Sequence, residues 1–215
     1  MFIAKHLHPK NHLSLCALIQ PSLTKSDEAF LHHVGELVRG GVKCIQLWDD
    51  LQNAIKYVHR VTPLKKLGIP VIINNWTHLA YETGAAGVHL GEGDFPIQEA
   101  LTLLPNKVVG YTVRNWEDVQ RAQALPVSYT GIQVFPSRTT KKKVTSLIGL
   151  DWLKAARTFS RHQMWAIGGI VEENLPLVQK ELRSGDWIVM AGPLARTQEP
   201  YSTAKKFSTL LQGGF

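Results

Sequence analysis

Short apolar runs rich in β-branched residues alternate with longer segments of helical period along the whole chain. That alternation predicts parallel strands joined by crossover helices, because parallel neighbours cannot be linked by a tight turn. Eight units are legible, with strands at 14–20, 42–47, 71–74, 87–90, 108–112, 129–134, 164–167 and 187–190. The helices between them are expected to start near Lys25, Leu51, Trp76, Ile97, Asn115, Gly149, Val171 and Tyr201. The stretches 69–73 and 187–190 are continuously apolar, as strands covered on both faces must be. Eight units favour closure into one (β/α)8 TIM barrel spanning 1–215, with 1–12 as an N-terminal arm. A doubly wound open sheet would carry a Gly-rich turn after its first strand, whereas Gln20-Pro21-Ser22-Leu23 follows here.

The chain has 215 residues, 44% of them hydrophobic and 19% charged, the profile of a folded domain and not of a disordered one. A formal net charge of +7 points to an anionic partner, either nucleic acid or a phosphorylated metabolite. The longest basic run is only Lys141-Lys142-Lys143, and no stripe of cations interleaved with aromatics follows an element, so a nucleic-acid partner is not expected. Cys16 and Cys44 lie in apolar runs without metal-ligand spacing and read as core thiols of a reduced compartment. The apolar stretch 13–19 is too short for a membrane span and lacks a cleavage site, so a cytoplasmic location is expected. His6, His8 and His12 read as a solvated arm and not as a metal site.

In a barrel the strand C-termini and the loops after them build the site. They carry Gln46, Asn74, Asn75, His89, Asp94, Thr112, Arg114, Thr140, Lys141, Gly168, Gly169 and Gly192, a ring of small, polar and cationic groups. Gly168-Gly169 is expected to open a helix whose bare backbone amides face a phosphate, although a Gly-Gly pair also serves a tight turn. The segment 135–143 is a loop with hydroxyls beside cations, equipment for an oxyanion. Asp94 suits either a Mg²⁺ ligand or a cap for the helix after Pro96.

Taken in order, Ile73-Asn74-Asn75, Gly87-Val88-His89-Leu90-Gly91 with Asp94, Val109-Gly110 with Thr112, Tyr129 and Gly131, Thr140-Lys141 and Ala166-Ile167-Gly168-Gly169-Ile170 resemble the thiamine-phosphate synthase/TenI family. The resemblance runs from the first strand to about Gly192 and implies a TIM barrel that joins hydroxymethylpyrimidine diphosphate to thiazole phosphate, with Mg²⁺ steadying the departing diphosphate. By that resemblance Gln46, Asn74 and Thr112 contact pyrimidine and diphosphate, and Asp94 is one of two metal carboxylates. Thr140 and Lys141 match the diphosphate loop, and Gly168, Gly169 and Gly192 the thiazole-phosphate cup.

The departures fall on the diphosphate and the metal. Trp48 and Asp50 stand where the family has an Arg and a Lys, and Asn75 replaces the second carboxylate, which weakens the expected Mg²⁺ site. Only 28 positions separate Gln46 from Asn74, so the crossover after the second strand looks trimmed. Arg138 stands in place of a Thr and Gly192 in place of a Ser. Arg114 occupies the position of the tautomerase histidine of TenI relatives; a guanidinium stays protonated and cannot relay protons near neutral pH. The expected function is therefore a divergent synthase of weakened activity using Arg114, Arg138, Thr140 and Lys141; the alternatives are a tautomerase-like paralogue and a non-catalytic barrel binding a phosphorylated ligand. A homodimer is compatible with the sequence, which does not fix the assembly.

Overall fold

The computed structural model describes residues 12–136 and 149–212. The N-terminal arm and Arg138, Thr140 and Lys141 lie outside the described residues. Eight strands, β1 (Ser14–Ile19), β2 (Cys44–Leu47), β3 (Val71–Asn74), β4 (Gly87–Leu90), β5 (Val108–Val113), β6 (Tyr129–Gln133), β7 (Gln163–Ile167) and β8 (Trp187–Met190), form a closed barrel in sequence order. Every neighbouring pair is parallel, and β8 returns to β1 with Ser14 opposite Trp187.

Alternation along each strand separates two apolar layers. Outward residues such as Leu15, Ile45, Ile73, Val88, Val109 and Ile188 pack against the helices. Inward residues form their own cluster, Cys16, Cys44, Ile72, Val108, Tyr129, Trp165, Trp187 and Val189. Both cysteines are free thiols, fully buried in this inner layer. An aromatic pile fills the lumen: His89 stacks on Tyr129 at 5.5 Å between centroids, Tyr129 on Trp165 at 3.9 Å, and Trp165 on Trp187 at 4.7 Å. Two strand glycines make room for it. A Cβ on Gly110 would stand 2.2 Å from Tyr129 Cζ, and one on Gly131 2.7 Å from His89 Cε1.

The helices follow local signals. Ser26 caps Asp27–Arg39 by accepting from the Ala29 amide, acidic residues fill its first turn, and Phe30, Val34 and Leu37 bury one stripe. The trimmed crossover after β2 is not one helix but three short pieces, Leu51–Lys56, Val58–Arg60 and Val61–Lys65. Arg60, 1% exposed, fastens this crossover to the β1 loop, donating to the carbonyls of Pro21 and Thr24 and to Asp27 while its guanidinium lies over the Tyr57 ring. At the opposite end of the barrel Arg157 pairs with Asp186, both buried.

The helix after β7 begins at Leu175, not near Val171. Asn174 holds the intervening turn, accepting from the Val171 amide and donating to the Gly169 carbonyl. A short additional helix, Gly192–Ala195, precedes Pro200–Gln212. Among the described residues no helix is long and apolar enough to cross a membrane.

Candidate functional site

The C-terminal ends of β2 to β5 bring together most of the polar residues singled out in the sequence. Gln46, 2% exposed, points inward and donates from Nε2 to the Tyr129 hydroxyl at 2.9 Å. The same hydroxyl lies 3.0 Å from His89 Nδ1, and His89 Nε2 lies 2.8 Å from Thr112 Oγ1. Four strands thus contribute to one continuous polar chain running from the lumen to the rim. Tyr129 at its centre was legible only as a motif residue, because nothing in a linear sequence marks which inward tyrosine meets a glutamine 83 positions away.

Burial holds the His89 ring down to about 4, so it is neutral near pH 7. The unfolded ring titrates near 6.5 and binds a proton that the folded ring refuses between about 6.5 and 4. Stability contributed by neutral His89 is therefore lost as pH falls through that window, by up to about 3 kcal/mol. Urea unfolding from pH 7 to pH 4 should show this slope, and His89→Gln should flatten it; equal slopes would mean the ring is solvated in the fold.

Asn74 is buried, and its Oδ1 has no hydrogen-bond partner. A buried acceptor is costly to leave unpaired, so this atom is an unusual feature of the strand end. Asn75 sits in the left-handed region at φ 72° and donates through Nδ2 to Asp94 Oδ1 at 2.8 Å, while Asp94 Oδ2 accepts from the Gly91 amide at 2.7 Å. Asp94 is thus not the cap of Ile97–Leu103, whose N-terminus has no side-chain cap bond. Among the described residues no three His, Cys, Asp or Glu side chains cluster as metal ligands.

Three expectations change with the structure. Arg114 does not stand free: it pairs with Glu92 at 2.5 Å and with Asp118 at 3.4 Å, so two carboxylates already balance its charge. Asp50 is exposed, and its carboxylate caps Leu51–Lys56, accepting from the Asn53 amide at 3.0 Å and the Asn53 side chain at 2.9 Å. Its neighbour Asp49 is the buried one, held by Gln20 and Ser22. Gly168 and Gly169 do not open a helix. They have φ of +94° and +60°, and a Cβ on either would meet the Phe135–Pro136 backbone at about 3 Å, so the pair is needed for a close passage between β7 and the chain leaving β6. Gly192 has open space where a Cβ would stand, so nothing in the packing demands glycine there.

Residues 15–185 match the protein-family model described as thiamine monophosphate synthase. The chain is 34% identical over 183 residues to a thiamine-phosphate synthase of Albidiferax ferrireducens, covering 83% of each chain. It is 28% identical over 185 residues to that of Vibrio parahaemolyticus, covering 84% of this chain and 90% of the other. Among solved structures, thiamine phosphate pyrophosphorylase from Pyrococcus furiosus superposes with a TM-score of 0.81 at 22% identity, over 94% of this chain and 97% of that one, which supports the barrel fold. The 3-hexulose-6-phosphate synthase of Salmonella typhimurium shares the architecture more distantly, with a TM-score of 0.75 at 13% identity over 94% and 100% of the two chains. A match over most of the chain, together with a relative at this identity and coverage, places the protein in the thiamine-phosphate synthase/TenI family.

Proposed function

We propose that this barrel is a thiamine-phosphate synthase-type transferase that couples hydroxymethylpyrimidine diphosphate to thiazole phosphate. The observation that carries the proposal is the convergence at one rim of Gln46, Asn74, Asp94 and Thr112, with the Asn74 acceptor buried and unpaired. These are the positions that the family resemblance links to pyrimidine, diphosphate and metal.

In this reading Asn74 and Gln46 orient the pyrimidine and Thr112 donates to a diphosphate oxygen. Gly168 and Gly169 let the thiazole phosphate approach the backbone, and Gly192 lies at the end of the next strand. Arg138, Thr140 and Lys141 would supply the hydroxyls and cations that hold the leaving diphosphate, while Arg114 is already paired with Glu92 and Asp118. Chemically, the step breaks the bond from the pyrimidine methylene carbon to diphosphate oxygen, and the thiazole nitrogen forms the new bond with its lone pair.

The donors near Asp94 suit a hard dication only weakly. One carboxylate is present, and both of its oxygens already accept N–H bonds. Mg²⁺, which accepts one or two carboxylates together with substrate phosphates, would be held by Asp94, the Asn75 amide oxygen and the diphosphate itself. It would neutralise the leaving group's charge. The missing carboxylate supports a reading of weakened, high-Mg²⁺ activity.

The tautomerase alternative is disfavoured because Arg114, at the position of the proton-transferring residue, stays cationic and is engaged with Glu92 and Asp118. The assay is thiamine phosphate formation by the full chain with both substrates and Mg²⁺. Formation that falls at least tenfold in Asn74→Ala is expected; thiazole phosphate binding without any product would make this a binding barrel. A cytoplasmic location, a phosphorylated small-molecule partner in place of nucleic acid, and a homodimer complete the reading.

A further inference from the structure

We propose that Gln46, Tyr129 and His89 form a one-way hydrogen-bond relay that keeps the Thr112 hydroxyl proton turned outward, so that Tyr129 and His89 are positioning residues for an oxyanion held at the strand ends. The proposal deepens the reading of the rim as a diphosphate site and rests on it for the identity of the ligand.

The polarity follows from counting donors. Gln46 Nε2 has only protons to offer, so the Tyr129 oxygen accepts there at 2.9 Å. The Tyr129 proton then goes to His89 Nδ1 at 3.0 Å, and a ring that accepts at Nδ1 carries its proton on Nε2. Nε2–H donates to Thr112 Oγ1 at 2.8 Å. The threonine oxygen is thereby an acceptor on its inner side, and its own proton is left for the rim. The opposite order, begun by turning the Gln46 amide over, would end with Thr112 donating inward and showing only lone pairs to an anion, an arrangement that repels it.

Nothing in the relay is free to swing. The His89 ring is stacked on Tyr129, Tyr129 on Trp165, and the absence of side chains at Gly131 and Gly110 is what admits both rings. A hydroxyl rotor held this way meets its ligand already oriented, without reorganisation when the ligand's charge changes.

Two measurements on the full-length protein test this. Long-range proton–nitrogen NMR with labelled histidine, assigned by the signal lost in His89→Gln, should show His89 at about pH 7 with its proton on Nε2 and an unprotonated Nδ1. A proton on Nδ1 would overturn the relay whatever the ligand is. Calorimetry then uses inorganic pyrophosphate as the probe. Thr112→Val should weaken binding roughly tenfold, Thr112→Ser should preserve it, and Tyr129→Phe, which keeps the stacked ring, should weaken it about threefold or more. The Tyr129→Phe loss should vanish in the Thr112→Val background, because the effect passes through that hydroxyl. An equal Tyr129→Phe loss in both backgrounds would overturn the positioning role. Absence of pyrophosphate binding in a wild type with the expected tautomer would instead overturn the oxyanion assignment.

Discussion

Asp186→Ala is expected to cost about 3–5 kcal/mol of unfolding free energy, the loss typical of a buried ion pair deprived of one partner. Asp186 Oδ1 accepts from Arg157 Nη1 at 3.0 Å and from the Met164 amide at 2.8 Å, and Oδ2 accepts from the Arg183 amide at 2.9 Å. The two side chains are only 7% and 4% exposed. Burial raises the Asp186 carboxyl above its ordinary range and lowers the Arg157 guanidinium below its own, and the attraction between the two opposes both shifts. Removing the carboxylate strands a desolvated cation and orphans two backbone amides at the start of β7 and before β8. Combining Arg157→Met with Asp186→Asn, which keeps an acceptor for one of the two amides and removes both charges, should recover part of the loss. Urea unfolding followed by far-ultraviolet circular dichroism measures both; a cost below 1 kcal/mol for Asp186→Ala would mean that water already solvates the pair.

Asn75→Asp should convert the Asn75–Asp94 contact into a metal-demanding pair, with Mg²⁺ binding in the presence of pyrophosphate tightened tenfold or more. In the wild type the amide donates to the carboxylate at 2.8 Å, so the two side chains attract without a cation. Two carboxylates at that separation repel by about 6 kcal/mol at an effective dielectric of 20, less where water reaches them, and a dication between them reverses the sign. Each 1.4 kcal/mol recovered is tenfold in affinity. The backbone does not object, since aspartate tolerates the left-handed conformation nearly as well as asparagine. Calorimetric Mg²⁺ titration of both proteins with pyrophosphate present decides the matter, and unchanged affinity would show that Asp94 faces away from the metal path. Metal-free, the variant should unfold more readily than the wild type, and Mg²⁺ should restore it.

What was legible in the chain was what is written locally. Eight apolar runs gave the eight strands, β3, β4 and β8 to the residue. β5 and β7 each run one residue beyond the expected span, while β1, β2 and β6 stop one or two residues short of theirs, because ladder bonds and apolar runs do not end at the same residue. Most of the rim residues were also visible, since a strand end is a position in sequence as well as in space. Hidden were the properties that depend on two distant segments. Arg114 reads as a free cation until Glu92, on the preceding loop, is seen to meet it. Asp50 reads as an anion in the ligand's path until its bonds to Asn53 show it capping its own helix. The glycine pair reads as a helix opening because the sequence does not reveal that Phe135 and Pro136 pass against it, nor that Asn174 delays the helix to Leu175.

The closure of the barrel through β1 and β8 has a consequence for how the chain is made. Ser14 finds its partner at Trp187, so one edge of the first strand has no ladder until residue 187 has been synthesised. At the ~5–20 residues per second of translation that interval is roughly 10–35 s, long compared with the microseconds in which helices and hairpins form. During it the apolar strand 14–19 presents unpaired N–H and C=O groups to other nascent chains. Until then β2 covers only one of its edges, and the arrival of β8 sets the moment at which the other is closed to misassembly.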